Sequence, residues 1–451
     1  MEFKSINPYN NKEIASYTGI SSAELDDKIK LAGEAFGPWR NTPLSERILL
    51  MKKAGELLRT NVEVYAEMIT LEMGKPISES RAEVNKCAWV CDYYADNAAA
   101  FLANEVIETD AHLSFVQHDP IGSVLAIMPW NFPFWQVFRF AAPTLLAGNT
   151  GLLKHAPNVF GSAILIEEVF TKAGFPKGVF QNLIVHHDQT EKIIANKAVQ
   201  AVSLTGSERA GSAVAEIAGR HIKKSLLELG GNNAFIVWDD ADIDKTIQTA
   251  LVARMLNCGQ SCIAAKRFIL MESIYDEFVT KFTEAIRQLK SGDPINEDTK
   301  VGPMARIDLA DQLQKQVRSS VEMGAELLLG GNQDNCYHEP TVLGNVKPGM
   351  PAFDEETFGP LAAMIKAKDI DDAFRLSELS PFGLGVTVCT TNIKKAVEMA
   401  HRVSDGAYFV NELVKSDPRL PFGGTKRSGF GRELAKDGMM EFINRKTIYV
   451  K

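Results

Sequence analysis

The chain has 451 residues, a net charge of -8, and an ordinary balance of 45% hydrophobic to 24% charged residues. That length supports two or three domains and a large core. The mild acidity excludes a general nucleic-acid surface, which needs clustered Lys and Arg, and six cysteines are too few for a disulfide scaffold, so a reducing, cytoplasmic setting fits.

Residues 1–20 read as irregular structure with short strands, and the N-terminus lacks the apolar run of a secretory signal. Ser21-Ser22-Ala23-Glu24 is a capping-box pattern that opens a helix with Leu25, Ile29, Ala32 and Phe36 on its apolar face. Thr42-Pro43 starts the next helix, with Pro at its first position. Helical patterning runs to Gly74-Lys75-Pro76 and resumes over Ala82–Leu102, where Cys87 and Cys91 read as buried structural thiols rather than metal ligands. From Glu105 to His118 the pattern is extended.

Ile121 to Leu153 carries one charge, Arg139, yet Pro129, Asn131, Pro133, Pro143 and Gly148 interrupt it. A membrane helix wants about 20 continuous apolar residues, so the stretch reads as a buried strand, a loop and a buried helix, with no membrane partner. Strands then alternate with helices: Val124–Ile127, Gln136–Leu146, Thr150–Leu153, Val159–Ala173, Phe180–Val185, Gln189–Asn196, Ala201–Leu204, Ser207–Ala218 and Ala234–Val237. That rhythm predicts a mainly parallel, doubly wound sheet. It restarts after Asp239 with helices at Ile243–Ala253, Ile274–Leu289 and Leu309–Met323. Strands follow at Phe268–Met271, Glu326–Leu329, Ala362–Lys366, Gly385–Cys389 and Ala407–Val410, predicting a second α/β domain. The tail Lys446–Lys451 is strand-like and, being terminal, is a candidate for pairing with a partner subunit.

Four places carry chemistry. Cys262 follows Gly259-Gln260-Ser261, and backbone N–H groups at such a turn can lower a thiol pKa and bind an oxyanion. Glu228 lies among Leu226, Leu227 and Leu229, where burial raises a carboxyl toward the range of a general base. It reads equally as a salt-bridged residue at a strand end. Pro129-Trp130-Asn131-Phe132-Pro133 follows a strand, where α/β proteins build sites, and Asn131 can donate to an oxyanion, although a turn asparagine bonding its own backbone is the simpler reading. Thr205-Gly206-Ser207 ends a strand and opens a helix, a place suited to a pyrophosphate or to an ordinary serine cap.

Taken together, these segments resemble the aldehyde dehydrogenase superfamily. The matching residues are Pro129-Trp130-Asn131-Phe132-Pro133, Lys154, Thr205-Gly206-Ser207, Glu228-Leu229-Gly230-Gly231, Gly259-Gln260-Ser261-Cys262, Glu356-Thr357-Phe358-Gly359-Pro360 and Pro421-Phe422-Gly423-Gly424, in order along the chain. The resemblance implies an NAD- or NADP-dependent oxidation of a small aldehyde to its acid. Cys262 would be the nucleophile, Asn131 and the Cys262 N–H the oxyanion donors, and Glu228 the base that activates water against a thioester. Lys154 would contact the adenosine ribose, Ser207 the pyrophosphate and Glu356 the nicotinamide ribose. Trp130 and Phe358 would line the site, with Pro129, Pro157, Gly206 and Leu229 beside them. No metal is implied.

The resemblance also implies an architecture: a cofactor-binding domain at 1–102 and 119–229, a catalytic domain at 230–425, and oligomerisation strands at 103–118 and 437–451 of a homodimer or homotetramer. Phe134 to Arg139, Lys154 to Asn158 and Ser416-Asp417-Pro418-Arg419 are most similar to short bacterial succinate-semialdehyde dehydrogenases. Arg139 lies about two helical turns beyond Asn131 and can bind a distal carboxylate or neutralise a buried one; Ser416 is a second contact. Two departures stand out. Leu256 occupies a position where many members carry arginine. Pro157 replaces a glutamate common in NAD-preferring members, so NADP is permitted, and Lys154 and His155 can attract its 2′-phosphate. The alternatives are another small aldehyde, an acylating dehydrogenase that passes its thioester to coenzyme A, and a non-catalytic binding protein.

Overall fold

The alternation of strand and helix after Ile121 builds two separate sheets in the computed structural model, which describes residues 1–451. The first has six strands in the order Gly429–Phe430, Lys224–Glu228, Val199–Thr205, Ser123–Met128, Thr150–His155 and Phe180–Asn182. Every pairing is parallel except the outermost, Gly429–Phe430 on Lys224–Glu228. The order in which successive strands are laid down reverses between the parallel neighbours Ser123–Met128 and Val199–Thr205, and in such folds the crevice at the carboxyl ends of those two strands takes ligands. Pro129-Trp130-Asn131 and Gly206-Ser207 leave from those ends.

Alternate residues of one strand serve two layers, as a strand's period of two requires. Val124, Ala126 and Met128 join the core under the helices Leu44–Thr60, Ile77–Phe101 and Trp135–Leu146, whereas Leu125 joins Leu25, Ile29 and Ala32 on the other face. The sheet is thus covered on both sides, a doubly wound α/β arrangement. All residues of Trp135–Leu146 are buried, Arg139 included. No helix is long and apolar enough to cross a membrane.

The second sheet has seven strands in the order Glu326–Leu329, Thr341–Gly344, Leu361–Ala367, Ala265–Met271, Asn233–Val237, Val386–Cys389 and Tyr408–Val410, parallel except for the first pair. The chain passes from the last parallel strand of the first sheet, ending at Glu228, straight into Asn233–Val237. The carboxyl ends of one sheet therefore meet the amino ends of the other.

Several local expectations differ from what is found. Ser21 and Glu24 do form a reciprocal capping box. Pro43, however, is the cap of Leu44–Thr60 rather than its first residue, because its ψ of 139 is extended. Strand Lys224–Glu228 and helix Ile370–Glu378 carry too short an apolar pattern to stand out. The tail strand is longer than expected, Ile443–Val450. It pairs antiparallel with Leu113–Pro120 of its own chain, from Ile443↔Pro120 to Val450↔Leu113, next to Glu105–Val106. Its other edge carries no strand.

The junction of the sheets depends on a glycine. A Cβ at Gly231 would lie 2.6 Å from the Cys262 carbonyl oxygen. Gly231→Ala is expected to destabilise the protein by about 1–3 kcal/mol, as overpacking does. An unchanged denaturation midpoint would contradict the close approach.

Candidate active site

The loop carrying Cys262 is strained and heavily tied down. Asn257 and Cys258 both adopt left-handed backbone, φ 55 and 54, a conformation that asparagine tolerates and cysteine rarely adopts. Asn257 donates its N–H to Glu79 Oε2 at 2.7 Å and its Nδ2 to Asn131 O at 2.7 Å. Gln260 Oε1 accepts from Ala305 N at 2.9 Å. Arg254, fully buried, donates to Ala265 O at 2.9 Å, Gly259 O at 2.8 Å and Gly359 O at 2.5 Å. That arginine is consumed in fixing the turn, so with Leu256 in place the loop offers no free cation to a substrate.

Two cavities meet at this loop, and Cys262 is the one residue that lines both. The first, about 270 Å³, is walled by Glu79, Lys86, Trp135, Arg139, Ser416 and Phe422 among others. The second, about 590 Å³, contains Pro129, Trp130, Asn131, Gly206, Ser207, Leu229, Glu356 and Phe358. In it Ser207 caps the helix Glu208–Arg220, accepting from Ala210 N at 3.3 Å. Trp130 meets Phe358 edge to face at 5.8 Å. Glu356 accepts from Gly231 N at 3.0 Å and pairs with Lys266 at 3.2 Å. A Cβ on Gly230 would come 2.5 Å from Glu356 Oε2, so this wall needs glycine.

Asn131 is buried and donates Nδ2 to Gln260 O at 3.1 Å, which leaves its second amide proton free. The expected pKa direction at Cys262 is reversed. Burial pushes its thiol up to about 11, opposed by the nearby cations Lys266 and Arg139. Lys266 donates to the Ser261 and Cys262 carbonyls, both at 2.8 Å. Cys258 is buried, with its Sγ donating to Gly302 O at 3.3 Å and its thiol pushed up by burial to about 12.

Glu228 ends its strand, paired in register with Thr205 and 2% exposed, and lines neither cavity. Gly423 leaves it room, since a Cβ there would lie 2.8 Å from Glu228 Oε1. Burial, and then the neighbouring Glu433, hold its carboxyl well above the usual range, against the pull of Arg139 and Arg432. Arg139 in turn is ion-paired with buried Glu433 at 2.6 Å and donates to Thr205 Oγ1 at 3.3 Å. Both readings of Arg139 thus meet in one place: it lines the cavity and it neutralises a buried carboxylate.

The profile of the aldehyde dehydrogenase family matches residues 1–448. The chain belongs to the aldehyde dehydrogenase family. It is 46% identical to a probable NADP(+) succinate-semialdehyde dehydrogenase of Synechocystis over 100% of both chains. It is 45% identical to a NAD(P)+ succinate semialdehyde dehydrogenase of Escherichia coli, covering 99% of this chain and 97% of that one. Among solved structures, a succinic semialdehyde dehydrogenase of Streptococcus pyogenes in complex with NADP+ superposes with a TM-score of 0.97 at 36% identity over 99% of both chains.

Within this family member, the sequence-predicted residues Cys262, Asn131, Pro129, Trp130, Gly206, Ser207, Leu229, Glu356 and Phe358 lie around one cleft, and Arg139 and Ser416 around the adjoining cavity. Lys154 and Pro157 do not line that cleft. His155 cannot attract a phosphate: it is fully buried, bonded to Pro133 O at 2.9 Å, and burial pulls it down to about 4, so it is neutral. Lys86, Lys266 and Glu433 were not anticipated. Lys266 stood four residues after the cysteine in an apolar run, a signal of the same kind as Glu228; Lys86 sat unmarked in a long helical pattern.

With the thiol neutral across the ordinary pH range, alkylation of Cys262 by iodoacetamide in the free protein should climb about tenfold per pH unit between pH 7 and 9 with no plateau. Lys266→Met, which removes a nearby cation, should slow it further at every pH. A plateau below pH 8 would contradict the buried setting.

Proposed function

We propose that the protein oxidises a short aldehyde, succinate semialdehyde above others, to the carboxylic acid with NADP or NAD. The observation that carries this reading is the position of Cys262 at the meeting of two cavities: a substrate entering one and a cofactor filling the other would both reach the thiol. Relatives of the same length act on that aldehyde by name, and the absence of a carboxylate at Pro157 leaves a 2′-phosphate unrepelled. The first sheet would serve the cofactor and the second the nucleophile. The unpaired edge of Ile443–Val450 would join a partner in a homodimer or homotetramer.

The cleft suits a dinucleotide on its own features. Backbone N–H groups at the start of Glu208–Arg220 suit a pyrophosphate, and the Gly230 wall lets a sugar approach Glu356. A bound nicotinamide supplies the hydride acceptor. The Cys262 thiolate attacks the aldehyde carbon. The free amide proton of Asn131 and the Cys262 N–H hold the oxyanion, each donor of this kind contributing about 10²–10³ in rate. Departure of hydride leaves an acyl thioester on Cys262. Glu228, as carboxylate, takes a proton from water, the water oxygen adds to the thioester, and the C–S bond breaks to release the acid and the thiol. A base favours hydrolysis over acyl transfer to coenzyme A, which needs none.

Absorbance at 340 nm on mixing protein, succinate semialdehyde and NADP or NAD tests the reading directly. No reduced cofactor with either would refute it. Cys262→Ala should abolish turnover. Glu228→Gln should give a burst of reduced cofactor equal to the enzyme, then a steady rate lower by about 10²–10⁴, the contribution of a positioned base; a near-normal steady rate would remove Glu228 from that role.

Because burial and then Glu433 raise the Glu228 carboxyl above its usual range, the base form appears as pH rises, and activity should have an acidic limb. Glu433→Gln removes the like charge and frees Arg139 to stabilise the carboxylate. Both effects lower the Glu228 pKa, so the limb should move to lower pH. A limb that stays in place or moves up would contradict the coupling.

A further inference from the structure

Three cations line the cavity beside Cys262: Lys86, Arg139 and Lys415. Arg139 is paired with Glu433. Lys415 pairs with Glu412 at 2.9 Å near the surface. Lys86 has no such partner. Its helical neighbour Glu83 is spent on the Lys75 ammonium and on the N–H groups of Phe134 and Trp135, at 2.9 and 3.0 Å. The Lys86 ammonium rests 4.1 Å from the centre of the Trp135 ring and donates to Ser416 Oγ at 2.9 Å.

We propose that Lys86 and Ser416 form the anion subsite of this cavity and take the far carboxylate of a short aldehyde acid, with Arg139 held in reserve by its buried partner. The assignment rests on the aldehyde-oxidising reading above and names the residue that would select the substrate.

Donor counting supports it. An ammonium has three protons, and here one is used. Ser416 Oγ also accepts from Trp135 Nε1 at 3.1 Å. With both lone pairs filled, its own hydroxyl proton has no acceptor and is available to an anion. An ammonium taken out of water without an anion is unfavourable, and the Trp135 ring offsets only part of that. A carboxylate seated here would be matched by two charge-assisted or hydroxyl donors and stabilised by the dry surroundings. Burial, with Arg139 adding, pulls the Lys86 ammonium down to about 8. The titratable and charged groups around it are Glu79, Glu83 and Cys87 on its own helix, Arg139 on Trp135–Leu146, and Lys415 and Asp417 on the late loop.

Calorimetric binding of succinate tests the subsite without turnover. The parent should bind, Lys86→Met should bind at least about tenfold more weakly, and Lys86→Arg should stay within about threefold of the parent. Parent affinity should fall as pH rises past about 8, where Lys86 loses its proton, and that limb should vanish in Lys86→Arg. Protonation of Glu79, which burial raises to about 7, would strengthen anion binding at lower pH in both proteins alike. In turnover, the preference for succinate semialdehyde over butanal should drop about tenfold in Lys86→Met. Equal losses on both aldehydes, unchanged succinate affinity in Lys86→Met, or no binding by the parent would overturn the subsite. A parent that oxidises butanal and rejects succinate semialdehyde would sink the substrate reading, whereas the succinate titration judges Lys86 by itself.

Discussion

The buried pair between Arg139 and Glu433 is the constraint on which the site depends. Arg139 stands on a helix with no exposed residue, and Glu433 comes from the far end of the chain. Removing one member of such a pair leaves an uncompensated charge and typically costs about 3–5 kcal/mol. The pair does more than hold two segments together. Glu228 lies in its field, raised by one member and lowered by the other, and Cys262 feels Arg139 as well. The ionisation of the proposed base and nucleophile is thus set first by burial and then shifted by a bridge distant from both in sequence.

A second constraint is geometric. The carboxyl ends of one sheet abut the amino ends of the other across Leu229–Asn232, and Gly230 and Gly231 allow this because Glu356 and the Cys262 carbonyl occupy the space of their Cβ atoms. Glu228 ends a strand of the first sheet, while Cys262 precedes a strand of the second. Only close packing of the two sheets brings them to one place. The left-handed Asn257 and Cys258, clamped by Arg254, Glu79 and Asn131, fix how the thiol enters that gap.

Much of this was legible in the residues. Strand and helix rhythm gave both sheets, because each element buries a face with its own period. The motifs at Asn131, Ser207, Cys262 and Glu356 are contiguous and rigid, so their chemistry shows locally. What stayed hidden depends on long-range pairing. Arg139 could be read as a substrate ligand or as a counter-ion, and only the arrival of Glu433 from the tail showed its bond. The tail strand looked free until Leu113–Pro120 was seen beside it. Lys86 gave no sign, since a lysine in an amphipathic helix is ordinarily a solvated one.

The pKa of the thiol follows from the same architecture. A nucleophile buried where two cavities meet is desolvated, and desolvation favours its neutral form. In the free protein that makes Cys262 a poor nucleophile and a poor target for oxidants, since reactivity follows thiolate character. Lys266 and Arg139 alone leave it near 11. In the proposed reaction further positive charge would favour the thiolate, and both cavities could supply it: the cationic ring of an oxidised nicotinamide in one, and the uncommitted ammonium of Lys86 in the other. A seated substrate carboxylate would cancel the second of these. In that reaction the cofactor side would carry the activation, which would favour an order in which cofactor is in place before the aldehyde arrives.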